Sequence, residues 1–200
     1  MQLKKEKIKK RIEDAAREDF LMHGYSKTSM RKIAKKARIS TSNIYNYFKG
    51  KDYLFYSLID PVFEKIKSLL SHLFETEEKL GEFEFFRRIS DVVAHPVGEI
   101  IKKNAKELII LMDKSEGTKY TNFKEDLVKI IESHFMESIV HEKKVRDKNL
   151  ANSFVIHIIS NNFLEGLLEL AKHYQNDEWV DVNIDLLMKY HINGISGLLN

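Results

Sequence analysis

Gly24-Tyr25-Ser26-Lys27-Thr28-Ser29-Met30-Arg31-Lys32-Ile33-Ala34, continued through Ile39-Ser40-Thr41-Ser42-Asn43-Ile44-Tyr45-Asn46-Tyr47-Phe48 to Lys51-Asp52-Tyr53-Leu54, is the stretch that decides the fold. Gly24 closes the helical pattern before it, and Thr28 or Ser29 supplies an N-cap oxygen for a short helix carrying Ile33, Ala34 and Ala37. Ile39 marks a turn. Ser40 caps a second short helix that runs to about Phe48, and Lys49-Gly50-Lys51 breaks it before a long helix over about 51–74. Two short helices that cross steeply need a small residue where their backbones approach, which Ala34 provides, while Ile33, Ala37, Ile39 and Ile44 fill the corner. The outward residues of the second short helix, Thr41, Ser42, Asn43, Asn46 and Tyr47, are small or amide-bearing. They suit hydrogen bonding to base edges and phosphates in a major groove about one helix wide.

Working outward, the helix before this stretch, over about 5–22, presents Ile8, Ile12, Ala15, Ala16 and Phe20 at spacings of three and four. Charge divides the chain at the same place. Residues 1–51 hold 15 Lys and Arg against 5 Asp and Glu, whereas the remaining 149 hold 18 against 25, so a head of +10 precedes a body of −7 although the whole chain is only +3. A basic block beside an acidic body points to a polyanion partner, nucleic acid ahead of an anionic membrane surface. Lipid binding would require an exposed apolar face, and Ile8, Ile12 and Phe20 are needed for the head's own core.

Beyond the breaker at 76–81 the apolar spacing remains helical, with no sustained period-two run. Helices are expected over 82–94, from Pro96 to Met112, and over 120–145, 148–173 and 178–198, with Asp113 to Lys119 as the most mobile loop. The last two helices carry apolar residues around most of their circumference: Phe154, Ile158, Phe163 and Leu167 on one, Ile184, Leu186, Leu187 and Ile192 on the other. Such helices need two packing partners, either a core and a second subunit or the centre of a monomer; the dimer is the preferred reading. The expected architecture is all-α with about nine helices, a helix-turn-helix domain over 1–50 and a helical domain over 51–200. The absence of cysteine excludes thiolate nucleophiles, disulfides and cysteine-ligated zinc. There is no phosphate-binding glycine loop, no nucleophile elbow and no paired carboxylates, so no enzymatic activity and no cofactor is expected. No run of 18 uninterrupted apolar residues and no signal pattern occurs, and a cytoplasmic protein without a membrane partner is expected.

The pairs Gly24-Tyr25, Thr28-Ser29, Ile33-Ala34, Ile39-Ser40, Ile44-Tyr45, Tyr47-Phe48 and Lys51-Asp52, with Lys49 and Leu54, resemble the DNA-binding region of TetR-type bacterial regulators over residues 8–55. One departure is Arg38, which stands where that pattern has glycine; if the turn requires positive φ, arginine costs roughly 1 kcal/mol there relative to glycine. The resemblance implies that Thr28, Ser29, Tyr45, Tyr47 and Lys51 hold phosphates, while Arg31, Thr41, Ser42, Asn43 and Asn46 face base edges. It implies a homodimer on a palindromic operator, repression, and release by a small molecule bound in the larger domain. A sequence-indifferent, architectural DNA binder is the alternative that a basic head alone would permit.

An apolar or amphipathic inducer needs an apolar cavity with a few polar groups, for which Phe74, Phe83, Phe86, Met112, Phe123 and Phe135 are candidate walls. His157 and Asn161, at i and i+4 in an apolar helix, are candidate polar contacts in that pocket or in the dimer interface, and Gly166 would admit a close helix at the same seam. His134, Glu137 and His141 share one helical face, but further ligands would have to meet it, and no metal is expected.

Overall fold

The periodic apolar residues of the first segment form helix α1 (Gln2–Lys27), with Ile12, Ala16 and Phe20 fully buried. The computed structural model describes residues 2–80, 90–141 and 153–199. The remaining elements are α2 (Met30–Lys36), α3 (Thr41–Ile44), α4 (Lys51–Leu80), a π-helical turn (Ser90–Ala94), α5 (His95–Asp113), α6 (Phe123–His141), α7 (Ser153–Lys172) and α8 (Asp177–Leu199). The protein is all-α, with eight α-helices and no strand among the described residues. The helix expected over 82–94 falls largely outside the described residues; its last five residues form the π turn.

Local chemistry explains the boundaries in the head. Gly24 has φ 76° and ψ 166°, a conformation open to glycine, and breaks α1 there. Ser29 caps α2 by accepting from the Lys32 amide at 3.3 Å, and Ser40 caps α3 by accepting from the Asn43 amide at 3.2 Å. At the other end of α2 the chain closes a left-handed turn at Arg38, φ 55°. The Ile39 amide donates to Ala34 O at 3.0 Å and the Arg38 amide to Lys35 O at 3.1 Å, the paired bonds that satisfy a helix's last carbonyls. The helix expected to continue to Phe48 is only four residues long. Amides of Asn46, Tyr47 and Phe48 then donate to Asn43 O and Ile44 O, so the segment tightens into turns.

Two compact units result. The first comprises Met1–Lys65 with Lys106–Phe123, the second Ile66–Ala105 with Lys124–Asn200. The division within α5 falls beside Asn104, whose φ −143° and ψ 26° leave the helical region.

In the first unit Ile33, Ala34, Ile44, Leu54, Phe55 and Ile59 are fully buried together with Ile110 and Leu111. Phe55 meets Phe20 and Tyr25 edge-on at 5.1 and 4.9 Å. The segment expected as a mobile loop is a hydrogen-bonded turn. Ser115, buried, donates to Leu111 O at 2.8 Å, the Tyr25 amide donates to Lys114 O at 2.8 Å, and the Tyr120 hydroxyl donates to Asp60 Oδ1 at 2.5 Å. Its Ser, Gly and Thr residues suit a free loop and a bonded turn equally, which is why composition misleads here. Burial and the bond to Asp60 push the Tyr120 hydroxyl up to about 12.

In the second unit Ile156, Leu164 and Leu168 of α7 and Val180, Ile184 and Met188 of α8 are buried. A Cβ on Gly166 would stand 2.9 Å from Leu187 Cδ1, so glycine permits the α7–α8 approach. By length and composition alone the segment Phe154–Lys172 is apolar enough to cross a membrane. It nonetheless carries the Lys124–Glu165 and His157–Glu132 pairs and buries one row of its own residues.

Candidate nucleic-acid interface

The candidate interface is built on α3 and the residues that fix it. Ile44 is fully buried and turns α3's apolar side into the corner of the first unit. Thr41, Ser42 and Asn46 are exposed, whereas Asn43 and Tyr47 are half-buried, so the expected polar face is open at three of its five positions and partly covered at the other two. Two contacts organise it: Ser40 Oγ lies 3.0 Å from Ser42 Oγ, and Asn46 Nδ2 donates to Asn43 Oδ1 at 3.2 Å. The second bond fixes the Asn43 amide plane while its own N–H₂ stays available, the donor arrangement that base edges and phosphate oxygens accept. Arg31 on α2 and Tyr45 after α3 are exposed as well, Tyr45 by 51%. Ser29 is exposed and spends one lone pair on its cap.

Two expected phosphate holders sit differently. Thr28 is buried, and its hydroxyl donates to Asp19 O at 3.3 Å, making it part of the corner's interior. Lys51 is half-buried; its ammonium donates to Tyr25 O at 2.9 Å and Thr28 O at 3.2 Å and lies 3.9 Å from the Tyr25 ring centroid. It fastens the start of α4 to the end of α1 and keeps one N–H for any other partner. Beside it the Tyr25 hydroxyl donates to Asp52, and burial first, then that bond, raise its pKa far above its ordinary value. The reason both sit deeper than expected is tertiary: a threonine or lysine beside a basic helix reads as surface until the chain that covers it is known.

Arg11 was not foreseen as part of the site. Its guanidinium donates from Nη2 to Ala37 O and, at 3.2 Å, to Arg38 O, pinning the turn that precedes α3. Its partners lie 26 and 27 positions further along the chain, so the contact leaves no local mark in the sequence.

The ligand candidates fall in different places. Met112 and Phe123 are half-buried residues of the first unit, where Phe123 packs on Phe63 at 5.1 Å. In the second unit Phe74 is 46% exposed with its ring 6.5 Å from His134, and Phe135 meets Phe163 at 6.1 Å. Phe163 in turn meets the buried His191 edge-on at 5.0 Å. Burial holds His191 below its ordinary pKa, so it is neutral near pH 7. Phe163 and His191 were not singled out as site residues; apolar periodicity places them on a helix without saying which ring meets which. His157 is exposed and pairs with Glu132 at 2.5 Å, and Asn161 is half-buried. Phe83, Phe86 and the side chains of Glu137 and His141 lie outside the described residues. Among the described residues no group of three or more metal-binding side chains gathers.

Comparison with known proteins agrees with this geometry. Residues 12–58 match the profile of bacterial regulatory proteins of the tetR family. No curated protein sequence matches the chain. Among solved structures, a TetR-like transcriptional regulator from Rhodococcus sp. RHA1 superposes with a TM-score of 0.57 at 20% identity, covering 95% of this chain and 96% of that one. NalD, the secondary repressor of the MexAB-OprM multidrug efflux pump in Pseudomonas aeruginosa, gives 0.50 at 21% identity with 96% of each chain covered. The fatty acid degradation regulator FadR from Bacillus halodurans gives 0.50 at 18%, covering 90% of this chain and 94% of that one. At such identities these structures share the fold: an N-terminal helix-turn-helix domain followed by a helical domain. Residues 12–58 are thus a tetR-type head of the kind found in bacterial regulatory proteins, carried on an all-helical fold that these solved regulators share.

Proposed function

We propose that this protein is a sequence-specific transcriptional repressor that binds a palindromic operator as a homodimer and leaves it when a small molecule binds. The observation that carries the reading is α3 with the turn that follows it: Ser40-capped, anchored by buried Ile44, and presenting exposed Thr41, Ser42 and, in the turn, Asn46 beside Asn43 on a head of +10. In this reading Arg31, Thr41, Ser42, Asn43 and Asn46 face base edges, and Ser29, Tyr45 and Tyr47 hold phosphates. Lys51 contributes its remaining N–H to a phosphate while fastening α4, and Thr28 supports from within. Residues 1–50 read DNA; residues 51–200 sense the ligand and dimerise.

Dimerisation is supported by two apolar rows on the last helices, Phe154 and Ile158 on α7, and Val182, Leu186 and Tyr190 on α8, each between 41% and 70% exposed. A second copy covering them would bury them as a core does. Two-fold symmetry then sets two recognition segments on successive major grooves. The inducer is apolar or amphipathic, with Phe74, Phe135, Asn161 and His157 as candidate contacts in the second unit and Met112 and Phe123 in the first. It acts by binding better to the arrangement that does not fit the operator. Such a regulator works in the cytoplasm, without enzymatic activity or a membrane partner.

Selection of binding sites from random or source-genome fragments at about 150 mM salt tests this, because salt suppresses the nonspecific component. Enrichment of one palindrome supports the reading. A folded protein that retains DNA without any enriched sequence would instead be an architectural binder.

A further inference from the structure

Resting on the DNA-binding reading above, we propose that the first turns of α1 form a second phosphate-binding edge of the head, in which Lys4 and Lys7, with Arg38, grip the duplex beside the segment that α3 reads.

Arg11 supplies the geometry. It is fastened to the carbonyls of Ala37 and Arg38, the turn immediately before Ser40 and α3. At 3.6 residues per turn, Lys4 lies about 20° from Arg11 around the helix and Lys7 about 40° to its other side. With a rise of about 1.5 Å per residue, Lys7 and Lys4 continue that face for about 6 and about 10 Å beyond the fastened turn. The row therefore starts at the corner that holds the recognition segment. Arg38 itself is exposed on that corner.

The electrostatics are unfavourable within the protein alone. Lys4, Lys5, Lys7 and Lys10 are exposed and have no carboxylate partner among the described residues; of the lysines in this segment, Lys9 alone pairs, with Glu13 at 3.8 Å. Lys4 and Lys7 are three apart, Lys7 and Arg11 four apart, spacings at which like charges repel. No acidic residue stands in the first turn, where a helix dipole favours anions and disfavours lysine. At the same corner a left-handed φ of 55° is occupied by arginine, which tolerates it less well than glycine. The charge repulsion is relieved by one external partner, a polyanion spanning the corner and the row, and the arginine at the corner adds a cation to it that glycine would not supply. From Lys4 to Phe20 no apolar side chain is exposed, so the row itself offers no apolar face to insert in lipid, and the duplex backbone is the polyanion that fits.

The test uses full-length protein and a labelled mixed-sequence duplex of about 40 base pairs, long enough for a specific-complex footprint. Affinity is measured across salt concentrations for wild type, Lys4→Gln/Lys7→Gln, Arg38→Gly, and a control of equal charge change, Lys67→Gln/Lys129→Gln. Each lost phosphate contact lowers the slope of log affinity against log salt by about 0.9, so the double variant loses about 1.8 per protomer and Arg38→Gly about 0.9. The control keeps the wild-type slope. Thermal midpoints of the double variant and of Arg38→Gly are equal to wild type or higher, which separates lost contacts from lost folding. An unchanged slope in the double variant, with wild-type DNA binding intact, overturns this proposal and leaves the DNA-binding reading standing. A wild type that fails to bind the duplex even at about 50 mM salt overturns both. Loss of binding to vesicles of roughly 30% phosphatidylserine with the DNA slope unchanged would show that the row serves a membrane instead.

Discussion

Arg38 holds a left-handed backbone that glycine adopts without a Cβ penalty. Arg38→Gly accordingly stabilises the fold by up to about 1 kcal/mol, less whatever glycine adds to unfolded-chain entropy. Urea denaturation checks this; a loss of stability would mean that the arginine makes a stabilising contact. Lys51 and Asn43 separate two roles. Lys51 holds two backbone carbonyls, so Lys51→Ala lowers stability by about 1–2 kcal/mol and weakens all DNA alike. Asn43→Ala retains stability and nonspecific affinity but loses preference among sequences, which paired melting and binding titrations detect. If both variants behave the same way, the division between fastening and reading is wrong. His191 gives a pH effect whose sign follows from burial. Its folded-state pKa lies below the usual value near 6.5, so the unfolded chain takes up a proton that the folded chain refuses. Stability contributed by the neutral ring is complete above about pH 6.5 and declines as pH falls from there toward the lowered folded pKa. His191→Leu should therefore show a smaller drop in thermal midpoint between about pH 7.5 and 5.5 than wild type; equal drops would contradict the assignment.

Elements show what local chemistry determines and what it leaves open. Helix starts at Ser29 and Ser40 and the break at Gly24 were legible because each depends on a few adjacent residues, whereas the positive φ at Arg38 entered only as a condition raised by the resemblance, which has glycine there. The shortness of α3 and the bonded turn at 114–121 were not, because both depend on partners distant in sequence, as Tyr120 does on Asp60. Tyr120→Phe removes the donor to a carboxylate already shared with Lys119 at 3.1 Å and should cost about 1–2 kcal/mol in chemical denaturation. The exposed rows on α7 and α8 carry the other prediction at this scale. Leu186, 58% exposed, lies between Val182 and Tyr190 on one face of α8. Leu186→Glu should leave the chain folded and yield a scattering mass near the 23.5 kDa of one chain, against twice that for wild type. A wild type at the single-chain mass would remove the dimer.

Across the whole molecule the charge division was visible in composition alone, with +10 through residue 51 and −7 thereafter. It indicated which end meets a polyanion. The outward polar residues of α3 were legible for the same reason as the helix itself, since periodicity that identifies a buried face also identifies its opposite. The inward turn of Thr28 and Lys51 and the reach of Arg11 to Ala37 were not, because a long or hydroxylated side chain chooses its partner only when the corner closes around it. The ligand was least legible of all: aromatic residues at helical spacing look alike whether they fill a core or line a pocket. The central claim is that the head reads sequence, and its most direct test is a competition titration at about 150 mM salt between a selected palindrome and scrambled duplex of equal length. The account predicts an affinity ratio of roughly 10³ or more in favour of the palindrome, lost in Asn43→Ala. A ratio near one, with both duplexes bound, would contradict it.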